Sequence, residues 1–320
     1  MGEKYNYIEK SSEDLFDYYP PLTKQEDFDE FWKSTIEKAK SVPLNSTLKE
    51  YDYPSPYVKV YEISYNGFDD TRIHGWYMVP DFVKKEKYPC IIHYHGFGGN
   101  AGSPSDFMKW IIMGIAVISI DCRDQSGKTV DNGKYSSGYK NNVVCKGILD
   151  KEEYYFRAVY MDCLKAIDFA YEQKEVNEEK IIIAGGSQGG ALGMAVCALD
   201  SRPYMAMVDV PSNSNLEKRV EGAHGAFSSV TEYLKAYPEK TDKVLETLSY
   251  FDTMNMAHNI KCKVLASVAL KDNVCPPKYY FATYNRIKSP KEIKIYPFNG
   301  HEGGRETQNE IKLKFLNKNI

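Results

Sequence analysis

The sequence predicts an α/β fold, with a mostly parallel central sheet flanked by helices and a helical arm at the N-terminus. Two observations carry this. From about residue 88, short continuous apolar runs alternate with segments of helical periodicity. Strands that read as unbroken apolar runs belong to a parallel sheet covered on both faces. Before that point, two alternating strands joined by a turn read as an antiparallel start to the sheet. The chain has 320 residues, a length that α/β folds often hold in one domain. No internal repeat or low-complexity linker divides it.

The elements follow in order. Residues 1–50 read as an arm with one amphipathic helix: in "TKQEDFDEFWKSTIEKAK", Phe28, Phe31, Trp32, Ile36 and Ala39 recur at helical spacing. "YVKVYEISY" alternates as a half-buried strand does, and "RIHGWYMVP" follows the turn-like "NGFDD". Then come a strand in "PCIIHYHG", a helix in "SDFMKWIIMG" and a strand in "IAVISID". The long helix "KEEYYFRAVYMDCLKAIDFAYEQ" sets Phe156, Tyr160, Cys163, Ile167 and Ala170 on one face. "KIIIAGG" leads through a serine into the helical "QGGALGMAVCAL", and "YMAMVDVP" is the next strand. A mostly helical insert spans 211–262. "KVLASVAL", a helix from about Pro277, "KEIKIYPF" and a C-terminal helix complete the chain. An antiparallel start followed by this alternation is the α/β-hydrolase pattern.

Composition excludes several function classes. Apolar content of 42% and charged content of 27% are ordinary for a soluble globular chain. A net charge of −3 leaves no electrostatic footprint for nucleic acid or an anionic membrane. No apolar run approaches transmembrane length, and the polar, acidic N-terminal stretch has no signal-peptide core, so a cytoplasmic location is expected. The seven cysteines form no CxxC pair and mostly lie in apolar runs, as buried free thiols do. "QSGKT" resembles the tail of a phosphate-binding loop, but Cys122 occupies the position of its first glycine and no helix opens there.

The chemistry concentrates in Gly185-Gly186-Ser187-Gln188-Gly189, which matches G-x-S-x-G. A serine in a tight strand-to-helix turn is forced into strained backbone angles and projects its hydroxyl beyond the sheet. Bulk two positions before or after would strike neighbouring backbone, so glycine stands there. The helix that starts at Gln188 points free N–H groups at the same place, where they can stabilise an oxyanion. The hydroxyl needs a base, and in this fold the partners follow in the order serine, acid, histidine. Of the six histidines, His224, His258 and His301 come after Ser187. His301 lies in the glycine-flanked loop "YPFNGHEGG" after the last strand, where a reachable base belongs. His224 lies in the insert and His258 in a helical stretch. Asp272, just past the strand "KVLASVAL", is the candidate acid, although an aspartate there also suits a turn. Asp242 and Asp252 lie in the insert and are less well placed. "HYHGFGGNAG" fits the second oxyanion loop, with the backbone N–H of Phe97 as donor beside that of Gln188 and the Phe97 ring as a wall of the substrate pocket. His93 and His95 face the same way on their strand, but no third ligand joins them, so no metal is expected.

The stretches "HYHGFGG", "RDQSG", "GILDKEEYYFRAVYMDCLKAIDF", "GGSQGG", "SYFDTMNMA", "DNVCPP", "FATYN" and "NGHEGG" together resemble the acetyl xylan esterase and cephalosporin-C deacetylase family. They cover most of residues 20–317 in that family's order. The resemblance implies Ser187, Asp272 and His301 as catalytic residues and Phe97 and Gln188 as oxyanion donors. It implies removal of acetyl groups from short xylo-oligosaccharides and small acetyl esters without a cofactor, by a homo-oligomer, often a hexamer. Two positions depart from the pattern. Asp124 stands where the family usually has glycine, and Phe97 where it usually has tyrosine. A different acyl substrate, a peptide bond, or a non-catalytic role for the same fold are the other readings.

Overall fold

The computed structural model describes residues 6–138 and 142–320. Nine strands form one sheet: β1 (Thr47–Tyr51), β2 (Val58–Asn66), β3 (Arg72–Pro80), β4 (Tyr88–Tyr94), β5 (Ala116–Ile120), β6 (Val176–Gly186), β7 (Met205–Asp209), β8 (Lys263–Ala269) and β9 (Lys291–Tyr296). Their spatial order is β1-β2-β3-β5-β4-β6-β7-β8-β9. The pairings from β1 through β3 to β5 are antiparallel, and every pairing from β5 across to β9 is parallel. This is the expected α/β-hydrolase architecture. After β4 the chain crosses to β5 on one side, then returns to β6 on the other. That reversal opens a crevice at the carboxyl ends of β4 and β6, where open α/β sheets bind ligands.

Both faces of the parallel strands are apolar because both are covered. Along β4, Cys90, Ile92 and Tyr94 enter one core and Ile91 the other; along β6, Ile181 and Ile183 oppose Ile182 and Ala184. The helices are α1 (Tyr7–Phe16), α2 (Phe28–Ser41), α3 (Met108–Ile111), α4 (Tyr155–Glu172), α5 (Gln188–Leu199), α6 (Leu216–Glu221), α7 (Ser228–Ala236), α8 (Thr241–Ser249), α9 (Thr253–Met256), α10 (Pro277–Tyr284) and α11 (Arg305–Asn319). The larger core lies against α2, α4, α5, α10 and the insert; the smaller takes Trp110 and Ile111 of α3 and Phe315 and Leu316 of α11. Among the described residues no helix is long and apolar enough to cross a membrane.

The arm is richer than the sequence predicts. Besides α2 it contains α1 and the edge strand β1. Both are mostly exposed: β1 at every position, and in α1 only Ser12 is fully buried, with Leu15 packed against the core. β1 shows no apolar period, and α1 is short, with Ile8, Leu15 and Phe16 spread over ten residues. Helix α1 is started instead by the Asn6 side chain, which accepts the Glu9 N–H, and its end docks by stacking Phe16 edge-on against Phe281 at 5.0 Å. The long helix α4 is also buried beyond its apolar face. Arg157 and Lys165 are buried because α2 and the residue that follows it cover them and supply acceptors: Thr35 Oγ1 at 3.0 Å for Arg157, and the Ala39 and Val42 carbonyls for Lys165.

Candidate active site

Helix α5 starts immediately after β6, so Ser187 occupies the corner between them with φ 56° and ψ −120°. Such angles are rare for a residue with a side chain and persist only where the surroundings enforce them. Here β7 does so: the Ser187 N–H donates to the Asp209 carbonyl at 2.9 Å, and the Ser187 carbonyl accepts from Ser212 N at 3.0 Å. The flanking glycines are demanded by contact. A Cβ on Gly189 would stand 1.9 Å from the Tyr94 carbonyl oxygen, and one on Gly185 would stand 2.5 Å from the Gly189 carbonyl carbon.

Three loops bring their residues to this corner. His301 follows β9, and its Nε2 lies 3.0 Å from Ser187 Oγ. Its Nδ1 lies 2.8 Å from Asp272 Oδ2. Asp272 follows β8 and is buried. Its other oxygen accepts the N–H groups of Val274 and Cys275, each at 2.8 Å. The turn aspartate and the histidine's partner are therefore the same residue, and the two readings of Asp272 merge. With a carboxylate on one side, Nδ1 carries a proton and Nε2 presents its lone pair to the serine hydroxyl. The Asp272 hydrogen bond raises the His301 pKa well above the ordinary imidazole value; Cys275 adds to this, and partial burial opposes it.

The backbone N–H groups of Phe97 and Gln188 make no hydrogen bond among the described residues. Gln188 is the first residue of α5, whose helical dipole adds positive potential at the same place. The loop that carries Phe97 is tied down. His95 Nε2 accepts the Cys122 N–H at 2.9 Å, so its Nδ1 donates to the Gly96 carbonyl at 2.7 Å. Both ring nitrogens are engaged by backbone, while His93 Nδ1 faces Ser119 Oγ at 3.2 Å. Gln125, in the stretch "RDQSG", accepts the Gly98 N–H at 2.7 Å and donates to Tyr155 Oη and Gln188 Oε1. Its neighbour Arg123 is buried and clamped by Asp162, with Nε 2.7 Å from Oδ2. Asp124 takes φ 54°, the region glycine favours, and its carboxylate pairs with Lys146 at 2.6 Å. The chain bears the strain expected of a non-glycine residue there, partly offset by that pair.

A cavity of about 410 Å³ opens over Ser187. The exposed Phe97 ring forms part of its wall, with Phe156, Phe227, Val274, Cys275 and Arg219. The insert supplies Arg219 and Phe227. The sequence does not mark these residues, because an apolar or basic residue in a helical insert carries no motif. Cys275 in "DNVCPP" and Gln125 in "RDQSG" belong to the site as well, and neither carries a motif of its own. Cys275 Sγ lies 3.9 Å from Ser187 Oγ. Burial pushes its thiol pKa up, but His301 and Arg219 pull it further down, so the balance falls below the ordinary value. Donor atoms of Asp272, Cys275 and His301 lie within 4.8 Å of one another. A metal held there would take the imidazole that faces the serine and the carboxylate that orients it.

The rivals lie elsewhere. His224 Nδ1 is 3.0 Å from the Asn273 carbonyl, and Asp242 lines a separate surface cavity. Asp252 is buried and accepts the N–H groups of Asn215, Leu216 and Met254. In "QSGKT", the Lys128 N–H donates to Asp121 Oδ2 at 2.6 Å and Lys128 pairs with Glu62, so a carboxylate sits where a phosphate would need donors. All seven cysteines are buried free thiols.

A nucleophile elbow on a largely parallel sheet, with serine, aspartate and histidine converging from three of its strand ends, defines an α/β hydrolase with a Ser–His–Asp constellation. The acetyl xylan esterase (AXE1) family model matches residues 6–319. The chain belongs to that family, and it is a carboxylic ester hydrolase. It is similar to the acetyl xylan esterase of a Paenibacillus species, with a TM-score of 0.93 and 38% identity over 96% of this chain and 99% of that one. Acetyl xylan esterase 1 of a Thermoanaerobacterium species superposes with a TM-score of 0.90 and 31% identity over 95% and 97% of the two chains. An acetyl esterase of Xylanibacter ruminicola is 28% identical over 94% of this chain and 69% of its own length. An acylaminoacyl peptidase of Pyrococcus horikoshii, with a TM-score of 0.58 and 15% identity, shares the fold alone.

Proposed function

We propose that this esterase removes acetyl groups from small O-acetylated carbohydrates, acetylated xylo-oligosaccharides among them, with Ser187 as nucleophile, His301 as general base and acid, and Asp272 as its orienting carboxylate. The observation that carries the reading is the unbroken hydrogen-bonded line from a buried carboxylate through one imidazole to a strained serine hydroxyl. As Ser187 Oγ attacks the ester carbonyl, Nε2 takes its proton, and the imidazolium that forms is stabilised by Asp272. The carbonyl oxygen gains negative charge as the tetrahedral intermediate forms. The Phe97 and Gln188 N–H groups, which have no other partner among the described residues, receive it. The C–O bond to the alcohol then breaks and the alcohol departs with the proton from Nε2. Water repeats the sequence on the acetyl-enzyme, releases acetate and restores the serine.

The family and two relatives named for acetyl xylan support the acetyl and sugar parts of this reading. The cavity suits a small ester, and the Phe97 ring offers an apolar face to acetyl or sugar. Seven buried thiols without a disulfide fit a reducing compartment, so a cytoplasmic location belongs to the proposal. So does assembly into a homo-oligomer, a hexamer on the family resemblance, which sedimentation would test. The deciding experiment is a hydrolysis screen of acetylated xylo-oligosaccharides beside p-nitrophenyl acetate, p-nitrophenyl octanoate and an aminopeptide panel. Turnover of the acetyl esters with Ser187→Ala inert is expected. Preference for the octanoate or the peptides would defeat the acetyl assignment.

A further inference from the structure

Arg219 lies on α6, in the insert, and its side chain is buried against the same cavity as Ser187 and His301. A guanidinium is charged at any working pH and needs acceptors for a fork of donors. Here Nη2 donates to the Val274 carbonyl at 3.0 Å and lies 3.7 Å from Cys275 Sγ. Among the described residues Nε has no hydrogen-bond partner, and Nη1 makes no hydrogen bond. The nearby carboxylates are committed. Asp252 serves three backbone N–H groups at the start of α6 and α9. Asp272 serves two more and His301. The guanidinium stacks on Phe227, with Cζ 5.5 Å from the ring centroid, and this holds its plane without satisfying its donors.

A buried cation with no carboxylate in hydrogen-bond contact is unfavourable to keep; Asp252 acts on it only through space, and Phe156 and Phe227 offer it apolar walls. The missing partner has one place to come from, the cavity that also holds the substrate. Cys275 Sγ touches both Arg219 and the vicinity of Ser187 Oγ, so a single side chain separates the guanidinium from the attacking oxygen. A carboxylate a few bonds from the scissile carbonyl can therefore reach it.

We propose that Arg219 is a specificity residue that receives a carboxylate carried by the ester, so that this enzyme prefers short acidic esters to neutral ones of equal size. The inference rests on the Ser187 ester hydrolysis of the preceding subsection and adds the charge of the substrate. The carboxylate can belong to the acyl part, as in the half-ester of a dicarboxylic acid, or to the alcohol part, as in an acetylated acidic sugar. Either presents the same chemistry to the guanidinium, a charge-assisted hydrogen bond to a buried side chain.

The test is a set of competition assays with two matched pairs. The acyl arm sets mono-4-nitrophenyl succinate against 4-nitrophenyl 4-methylpentanoate. The alcohol arm sets 4-acetoxybenzoate against 4-acetoxybenzamide. Each rate is divided by hydroxide-catalysed hydrolysis of the same ester. A ratio of kcat/KM values measured in one sample does not depend on the fraction of folded enzyme, so a partly unfolded variant still reports. One arm is expected to favour the acidic ester by about ten- to a hundredfold, the worth of a hydrogen bond to a charged group. The responding arm tells which side of the ester carries the group. Arg219→Met should abolish the preference, and Arg219→Lys should keep part of it. Wild-type ratios within about twofold of unity in both arms would overturn the proposal while leaving ester hydrolysis intact, as would a preference that survives in Arg219→Met. Absence of turnover on all four esters would overturn ester hydrolysis as well.

Discussion

Replacing Asp272 by asparagine tests the proton path most sharply, because almost nothing else changes. The Asp272 side chain is shape-matched by asparagine, and its Oδ1 accepts two backbone N–H groups at 2.8 Å. The amide oxygen must keep that place. Turning it away would leave both N–H groups facing an NH2 group, at about 1–3 kcal/mol for the buried one at Cys275 and less for that of the more exposed Val274. The amide nitrogen is then forced into the position of Oδ2, 2.8 Å from His301 Nδ1, where it can only donate. The imidazole answers by moving its proton to Nε2, and Nε2–H now points at the serine hydroxyl 3.0 Å away. A base has become a donor. The expected fall in kcat is about ten-thousandfold, or about 5.5 kcal/mol of transition-state stabilisation. The assay is acetate release from acetylated xylose followed by titration, with a thermal melt of the same sample to show that it is folded. A folded asparagine variant that keeps more than about a tenth of the wild-type kcat would refute the reasoning, since tautomer control would then not be what Asp272 provides.

Three further outcomes are expected. Ser187→Ala and Ser187→Gly should each lower kcat by about a thousandfold or more. The glycine variant should nonetheless be the more stable by about 1 kcal/mol in chemical denaturation, because φ 56° strains any residue with a Cβ; equal stabilities would show that the corner holds no strain. Gly189→Ala should destabilise by about 2 kcal/mol or more, since its Cβ meets the Tyr94 carbonyl oxygen at 1.9 Å, whereas Gly186→Ala, whose Cβ meets nothing nearer than 3.7 Å, should change stability by less than about 1 kcal/mol. The pH profile should rise through a midpoint above the usual histidine value of about 6.5, because Asp272 and then Cys275 stabilise the imidazolium and only the neutral imidazole accepts the serine proton. Cys275→Ala removes one of these stabilisers and should move the midpoint of kcat/KM to lower pH; an unmoved or raised midpoint would contradict that contact.

Much of the fold was readable because burial on two faces writes itself into local sequence. The β4 and β6 runs are apolar throughout since each side chain enters one core or the other, and the elbow announces itself because only glycine fits beside Tyr94. The order serine, aspartate, histidine was readable too, because each residue sits just past the end of a strand whose pattern is plain. What escaped were short, mostly exposed elements: α1 and β1 are held by a cap, an edge pairing and a few docked rings, and ten and five residues are too few for a pattern to stand out.

The sequence by itself determined the α/β-hydrolase architecture, the elbow and the three residues that meet there, since strand pattern, glycine spacing and chain order are local or ordinal properties. Tertiary structure alone decided what surrounds the serine. Arg219 and Phe227 come from the insert, Cys275 from the loop after β8, and Gln125 from the loop after β5. A lone arginine is legible as a charge, but whether it has a partner depends on distances between segments remote in the chain, and those exist only after the sheet has assembled.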